Sequence, residues 1–399
     1  MKRVFFILCC LFLLTGCWDR IELKEIGIVS AIGIDRDPDT GEILFTSQVV
    51  DPSGLKPDGG GAESAIQIVT SKADTVFKAF RNINQEFDRK NFYAHNKVIV
   101  IGEELAKEGI SPVLDGITRG KEGRGYIWLC VTKDTQARDI LSSVRKQGIE
   151  KVPANSIESM HENKELNFDV VVIKLNDYYK KTLKSGIEPV IGTLEMKEKS
   201  TNSNGESLGQ TSLQAKLSGG AVIKEDKLVG FLNESEARGY NWVIGEVKSG
   251  ILSIPSKLEE GKLVSIEIRE ASSKIKPEIK GDRISFTIDI KSAGILVEQQ
   301  GSGTLKTRKE QYDYLKRLEK ELEKKIESEV YEVIEKAQED FNSDIFGFGT
   351  KLNKKDSKKW KEIKEAWLKD QFQNVDVKVK VKAEISAREL LQEPLKSID

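Results

Sequence analysis

The sequence predicts an α+β or mixed α/β protein of two to three domains, each a β-sheet packed with helices, preceded by a cleaved lipoprotein signal peptide. Short apolar runs alternate with helical patterns in the first half, which is typical of a sheet with crossover helices. The second half holds long segments in which every second residue is apolar, as in strands with one solvated face. A basic and then apolar segment at the beginning of the chain indicates secretion.

The beginning of the chain has the pattern of a bacterial lipoprotein signal peptide, residues 1–16. Two basic residues precede the apolar run 4–14, which is too short to span a bilayer because a spanning helix needs about 20 residues. The sequence Leu-Thr-Gly-Cys follows, so we expect cleavage between Gly16 and Cys17 and a diacylglyceryl group on the Cys17 sulfur. An uncleaved anchor, or an ordinary signal with a chance cysteine, is the alternative. The expected location is the outer face of the cytoplasmic membrane, with the lipid as the anchor.

Charge and cysteine content exclude several classes of protein. Without residues 1–16 the chain keeps 61 basic and 64 acidic side chains, a net charge of −3. Nucleic-acid binding, and membrane binding by charge alone, both need a basic excess and are not expected. Lipidation of Cys17 leaves Cys130 without a partner, so the fold must rest on apolar cores rather than on disulfides.

Residues 17–198 are predicted to form an N-terminal α/β domain. The even spacing of isoleucines in Ile26–Ile34 predicts a strand, and Ile43–Val50 is its expected hairpin partner across an Asp-Pro-Asp-Thr-Gly turn. Val98–Ile101 is a continuous apolar run, which is typical of a strand covered on both faces. The other predicted elements are a helix from Val76 to Phe87, a helix at Glu103–Thr118, a strand at Tyr126–Val131 and a helix at Thr135–Arg145.

A polar segment rich in Ser, Asn and Gly, residues 199–213, is predicted to be an interdomain linker or a long surface loop. It precedes a C-terminal α+β region, 214–399, which forms one domain or two subdomains of about 214–300 and 301–399. Thr307–Phe341 carries apolar residues at spacings of three and four, which predicts one long helix. Packing of that helix on a sheet is favoured over a coiled coil, because the three-four alternation is not sustained.

Three alternating patterns in the C-terminal region predict strands, at 264–268, 284–290 and 375–385. A further helix is expected at Lys358–Phe372. Three lysines share one face of the last strand, and we interpret that face as solvated, with contact to lipid headgroups as the alternative. They are Lys378, Lys380 and Lys382.

Histidine content argues against metal chemistry. His95 and His161 are the two histidines of the chain, which is too few for a multi-histidine metal site or a proton relay. His95 adjoins the predicted strand at 98–101 and is interpreted as a hydrogen-bonded structural residue. We therefore expect no metal and no cofactor.

Three further motifs fail the requirements of the sites that they resemble. Gly205–Gly209 matches the serine-hydrolase elbow, but it lies in the polar linker rather than between a strand and a helix. The aspartates of residues 35–39 begin like a calcium loop, which then lacks the glycine at position six and the carboxylate at position twelve, so a hairpin turn is favoured. Gly120–Gly125 has its glycines at the wrong offsets for a dinucleotide or phosphate loop. The chain is therefore not expected to be an enzyme.

A set of motifs spread over nearly the whole mature chain resembles the Ger(x)C family of spore-germination lipoproteins. In the first half these motifs are Gly16–Asp19, Glu22–Leu23, Gly33–Asp35, His95–Ala106, Gly109–Ile110, Val113–Asp115 and Arg119. In the second half they are Gly219–Val222, Gly230–Leu232, Glu236, Arg238–Gly239 and Trp242. Each is weak alone, and the combination is specific.

The resemblance implies a role without an active site. It implies the C subunit of a nutrient germinant receptor, on the outer face of the inner membrane of the spore, acting with a membrane-embedded A subunit and a transporter-like B subunit. The exposed ends of the N-terminal sheet and the loop Asp51–Ala62 are the candidate contact surfaces. The alternative is a solute-binding lipoprotein that delivers a nutrient to a transporter, and an extracytoplasmic enzyme is a more distant one. A solute-binding protein would need a deep cleft between two similar lobes, which the unlike halves of this chain do not predict.

Overall fold

The computed structural model describes residues 25–50, 66–119, 125–143, 152–198, 213–301, 305 and 307–386. Several predictions lie outside these residues and stay predictions. They are the signal peptide 1–16, Cys17, the loop 51–62, the linker up to residue 212 with its Gly205–Gly209 motif, and most of Gly120–Gly125.

A large mixed sheet, called the first sheet below, forms most of the first half. Its ten strands are β1 (Ile26–Arg36), β2 (Ile43–Val50), β3 (Ile66–Ala73), β4 (Lys90–Phe92), β5 (Val98–Ile101), β6 (Trp128–Thr132), β7 (Ile173–Lys174), β8 (Val190–Glu198), β9 (Leu213–Lys224) and β10 (Lys227–Leu232). The main strand order is β10-β9-β8-β6-β5-β1-β2-β3. The central strands β8, β6, β5 and β1 are parallel to one another, and the outer pairs are antiparallel.

Helices cover both faces of the first sheet, as the sequence predicts for parallel strands. They are α1 (Val76–Glu86), α2 (Glu103–Glu108), α3 (Ser111–Thr118), α4 (Ala137–Ser142), α5 (Pro153–Glu162) and α6 (Leu175–Thr182). One buried cluster joins the sheet to α1, α2 and α3, and another joins it to α4 and α5. The crossover arrangement predicted from sequence is therefore confirmed.

The single helix predicted at Glu103–Thr118 is wrong, because the chain bends between α2 and α3. Gly109 lies there with φ of +151° and ends α2. The backbone N–H of Ile110 then donates to the Asp226 carbonyl at 2.9 Å rather than continuing the helix. A contact with a residue far along the chain thus overrides the local helical pattern.

The second sheet has four strands: β11 (Gly250–Pro255), β12 (Leu263–Lys280), β13 (Arg283–Gln299) and β14 (Asp376–Ser386). They lie in the order β11-β12-β13-β14, antiparallel except for the parallel β13–β14 pair. Its helices are α7 (Glu234–Ile244), α8 (Arg308–Glu339), α9 (Phe348–Lys355) and α10 (Ser357–Ala366). The prediction of a sheet with one solvated face is confirmed on β14, where Lys378, Lys380 and Lys382 are all exposed.

The long helix α8 packs on the second sheet, as predicted. Its apolar stripe is buried in the same cluster as the inner residues of β12 and β13. A capping box of Thr307 and Glu310 begins the helix, because each side chain bonds the backbone N–H of the other residue. The helix after α9 is shorter than the predicted Lys358–Phe372, since α10 ends at Ala366 and a π turn follows at Trp367–Gln371.

The two sheets share one apolar core. The cluster that contains Ile266 of β12 and Ile288 of β13 also contains Val190 of β8 and Val222 of β9. Strands β8 and β9, which flank the predicted linker, pair with each other in the first sheet. The predicted division at 199–213 therefore falls between two paired strands of one sheet, and it stays a prediction.

Candidate functional site: the junction between the two sheets

Helix α7 lies where the two sheets meet, and its sequence explains where it begins and ends. The Asn233 side chain accepts a hydrogen bond from the Glu236 backbone N–H at 2.9 Å, and the Glu236 carboxylate accepts one from the Asn233 N–H at 2.7 Å. This capping box satisfies two backbone donors that a helix beginning leaves unpaired. Gly245 ends the helix with φ of +77°, a left-handed conformation that favours glycine.

Charged side chains of α7 connect it to both halves of the molecule. Arg238 donates to Glu329 of α8 at 2.8 Å and to Asp169 of the first half at 3.1 Å. Glu236 accepts from Lys336 of α8 at 2.7 Å. The Glu329 side chain is 1% exposed, so its charge depends on these partners and on Lys325 at 3.3 Å.

Close backbone contact reinforces the charged network. A Cβ atom at Gly239 would lie 2.1 Å from the Glu329 carbonyl oxygen, so α7 approaches α8 as only glycine allows. On the opposite side, the Asn241 amide donates to the Phe168 and Val170 carbonyls at 2.9 and 3.0 Å. The buried ring of Trp242 packs edge-on against Phe168, with 5.4 Å between centroids. Helix α7 is therefore fixed to both sides of the junction.

A second glycine contact joins β9 to the last residue of β10, just before α7 begins. Gly219 has φ of +42°, and a Cβ atom there would lie 1.9 Å from the Leu232 carbonyl oxygen. Neither condition is compatible with a larger side chain. The motifs Gly219–Val222 and Gly230–Leu232 therefore fix the position of Leu232, the residue before the α7 cap.

The motifs of the first half hold the parallel strands together. Lys97 donates its backbone N–H to Ser30 and accepts from the Trp128 N–H, both at 2.9 Å, and its ammonium group lies 2.5 Å from Glu158. The sequence predicts that His95 is a hydrogen-bonded structural residue, and this prediction is wrong. His95 is exposed, and the contact of its ring is with Phe92, at 5.7 Å between centroids.

Asp35 belongs to another of these motifs and has a structural role. Its carboxylate accepts from the Ala137 and Arg138 backbone N–H groups at 2.8 and 3.0 Å, which caps the beginning of α4. Burial raises the pKa of Asp35 to about 6, against the opposite effect of those two donors. The aspartate turn is also confirmed as a hairpin turn, because Asp37 accepts from the Asp39 and Thr40 N–H groups.

Buried titratable groups in the described ranges do not assemble into a metal site. Those residues contain no group of three His, Cys, Asp or Glu side chains placed to hold a metal ion. His161 lies 3.2 Å from the Cys130 sulfur and bonds the Ile157 carbonyl through Nδ1. Burial lowers the pKa of His161 to about 4 and raises that of the Cys130 thiol, so both groups are neutral at pH 7.

Sequence reasoning missed Asp344, which organises the loop before α9. Its carboxylate accepts from the backbone N–H groups of Gly347, Phe348 and Gly349 at 2.7 to 2.9 Å, and from the Trp367 indole at 3.0 Å. Burial nevertheless raises the pKa of Asp344 to about 6. The indication that the sequence offers is an aspartate three residues before a Gly-Phe-Gly segment.

Two protein-family models match this chain, one in each half. The model described as "Spore germination protein N-terminal domain" matches residues 19–196. The model described as "Spore germination B3/ GerAC like, C-terminal" matches residues 218–388. The second range includes α7 and its partners on α8. The two matches together define a spore germination protein.

This chain belongs to the Ger(x)C family of spore germination proteins. It is 26% identical to spore germination protein KC of Bacillus subtilis (strain 168), over 96% of this chain and 94% of that one. It is 28% identical to spore germination protein YndF of the same organism, over 95% of each chain. The crystal structure of the GerBC protein has the same fold, with a TM-score of 0.53 and 23% identity over 89% of this chain and 96% of that chain.

Proposed function

We propose that this chain is the lipid-anchored, non-enzymatic C subunit of a spore nutrient germinant receptor, required for the response to small nutrients and assembled with integral membrane A and B subunits. The observation that carries the proposal is the match of both family models, one to each half of the chain. Spore germination proteins KC, B3 and A3 of Bacillus subtilis (strain 168) are among the relatives of this chain.

The junction supports a mechanical role for the body of the protein. Arg238 connects α8 to the first half, and one apolar core continues between the sheets. A force applied to one sheet therefore displaces the other, because packed cores deform little. We propose that the subunit relays a change of state between the A and B subunits, which requires that it bind two receptor states with different affinity.

The proposed location is the outer face of the inner membrane of the spore, through a lipid on Cys17. Within the described ranges, no helix combines the length and apolar composition that crossing a membrane requires. Several acyl chains on one cysteine bind a bilayer firmly, at about 0.8 kcal/mol per buried CH₂ group. Tethering also raises the local concentration of the body beside membrane partners, so weak contacts with the A and B subunits suffice.

The anchor is tested by intact-mass analysis of the chain isolated from membranes. The expected mass is that of a chain beginning at Cys17 plus a diacylglyceryl group. Cys17→Ala should leave the signal peptide attached and lose the lipid, whereas Trp18→Phe, the matched neighbour, should keep both processing steps. An unmodified Cys17 thiol in the wild-type chain would contradict the anchor.

Assembly with the receptor is tested separately. An affinity-tagged chain, chemically cross-linked in isolated spore inner membranes, should co-purify with its A and B subunits. Recovery of the tagged chain without either subunit under conditions that retain other receptor complexes would contradict this part of the proposal.

A further inference from the structure

A cleft of about 720 Å³ opens beside the junction, and its lining includes residues of α7 but none of α8. The first half contributes α6 and the short 3₁₀ helix Asn163–Leu166, and the second half contributes α7 and the loop after it. Six lysines line this cleft, with four carboxylates and no arginine. The lysines are Lys164, Lys174, Lys180, Lys181, Lys184 and Lys248, and the carboxylates are Glu162, Glu165, Asp177 and Glu246.

The positive charge of the lysine cleft is not fully neutralised. Lys180 is paired with Asp177 at 2.8 Å, and Lys248 is paired with Glu165. Within the described part of the chain, no carboxylate lies within ion-pair distance of the three remaining rim and wall lysines. These are Lys174, Lys181 and Lys184. Six ammonium groups against four carboxylates leave a net charge of +2 in one concave site.

Lys164 and Lys181 are half-buried members of the cluster. The Lys164 side chain is 14% exposed, and its ammonium group is 3.7 Å from Glu246, longer than a hydrogen bond. Burial lowers the pKa of Lys164, and the charges of Lys181 and Lys248 lower it further, while Glu246 opposes them. Lys181 donates to the Tyr240 hydroxyl at 3.0 Å, a neutral partner.

Burying ammonium groups beside one another costs free energy unless an anion joins them. Lys164 and Lys181 belong to the walls of an open cleft, which an anion can enter. An anion between α6 and the 3₁₀ helix would offset the repulsion that Lys181 and Lys248 exert on Lys164.

The composition of the cleft indicates the class of anion. An ammonium group is a compact point charge with three donors, and it binds the tetrahedral oxygens of phosphate as the P-loop lysine does. A phosphate monoester carries about −1.5 to −2 charges at pH 7, which balances the net charge of the cleft. The Trp128 ring, 4.7 Å from the Lys174 ammonium group, adds apolar surface for the rest of the ligand.

We propose that the lysine cleft binds a phosphate monoester, through the ammonium groups of Lys164 and Lys181. The ligand is a water-soluble phosphate or the phosphate headgroup of a lipid, which share this chemistry. This site goes beyond the proposed receptor role and does not depend on it.

The test uses the full chain in a neutral detergent, with the ionic strength held constant by chloride. The probes are sn-glycerol 3-phosphate and a short-chain phosphatidic acid, and the measurements are the melting temperature and the affinity by titration calorimetry. A saturating ligand should raise the melting temperature by a few degrees. Lys164→Met and Lys181→Met should each weaken binding at least about tenfold, and Lys324→Met on the exposed face of α8 should not.

The unliganded variants separate binding from folding. Lys164→Met relieves repulsion, so its melting temperature without ligand should equal or exceed that of the wild type. Similar affinity for both probes means that the cleft recognises the phosphate alone, and tighter binding of phosphatidic acid means that the source is a lipid; both results support the site. The proposal is overturned if neither probe binds above the chloride baseline, or if both variants bind like the wild type.

Discussion

The guanidinium group of Arg238 on α7 lies 2.8 Å from Oε1 of Glu329 on α8, a carboxylate that is almost entirely buried. The same guanidinium donates to Asp169, so the Arg238 side chain connects α7 both to α8 and to the first half of the chain. The other carboxylate oxygen of Glu329, Oε2, has no hydrogen-bond partner among the described residues. The stability of the junction therefore depends strongly on Arg238.

Replacing Arg238 by Met should destabilise the fold by about 3 kcal/mol, because Glu329 would stay buried with Lys325 as its remaining close cation. The free energy of unfolding in urea, followed by circular dichroism, measures the effect. The matched control is Arg283→Met, which breaks an exposed pair with Asp376 and should cost less than about 1 kcal/mol. If both variants lose the same free energy of unfolding, the buried pair at the junction stabilises the fold no more than an exposed pair does.

Gly239→Ala tests the close approach of α7 and α8. Alanine is favoured over glycine inside a helix by about 1 kcal/mol, so the substitution would stabilise α7 if space were available. Because the new Cβ would lie 2.1 Å from a backbone oxygen of Glu329, we expect a net loss of about 1–3 kcal/mol instead. Gly281→Ala, at an open hairpin tip with φ of +63°, measures backbone strain without such a contact. Unchanged or increased stability of Gly239→Ala contradicts the described packing.

Glu188→Gln tests the pH dependence that buried carboxyls impose. Burial raises the pKa of Glu188 to about 7, opposed by a hydrogen bond from the Glu225 backbone. The folded state therefore holds this proton between pH 4.5 and 7, where the unfolded chain releases it, so stability falls as pH rises through that window. The glutamine side chain does not titrate, so the variant does not lose this stability. Between pH 4.5 and pH 8 the free energy of unfolding of the variant should therefore rise by about 1–2 kcal/mol relative to that of the wild type. This is less than the full pKa shift implies, because the Glu188 side chain is partly exposed.

The matched control for this series is Glu335→Gln on an exposed position of α8. Denaturant unfolding of the wild type and both variants at the two pH values gives the comparison. A stability difference between Glu188→Gln and wild type that is the same at both pH values would mean that Glu188 does not hold its proton in the fold.

Cys130 should be protected from alkylation in the native protein. Its side chain is fully buried in β6, and burial raises the pKa of the thiol, so little thiolate exists at pH 8. The neighbouring His161 is neutral there and supplies no positive charge that would stabilise a thiolate. Iodoacetamide labelling, read by peptide mass, should modify Cys130 only in concentrated denaturant. Labelling of the native chain at the rate of a free thiol would contradict the described core.

The sequence predicted best those elements whose pattern is decided by burial. Strands Ile43–Val50 and Val98–Ile101 have the predicted bounds. The first follows a strong turn signal, and the second is a continuous apolar run with few alternatives. The apolar stripe of α8 was sufficient to predict its packing on a sheet. The break at Gly109 was not predictable locally, since it depends on a bond to Asp226, more than a hundred residues away.

The junction and the lysine cleft could not be predicted from the sequence, because both depend on contacts between distant residues. Arg238 and Glu329 are separated by 91 residues, and nothing local distinguishes either from a solvated charge. The lysines of the cleft come from segments on both sides of the predicted linker, so their proximity exists only in the folded chain. The motifs Glu236, Arg238–Gly239 and Trp242 marked the region, and the structure supplies the physical reason.

The role in germination is tested most directly in spores that lack this chain. Germination is followed as the loss of optical density after addition of amino acids and sugars, alone and in mixtures. The account predicts that the response to at least one nutrient is lost, and that the wild-type chain restores it while Cys17→Ala does not. Spores without the chain that respond normally to every nutrient and mixture would contradict it.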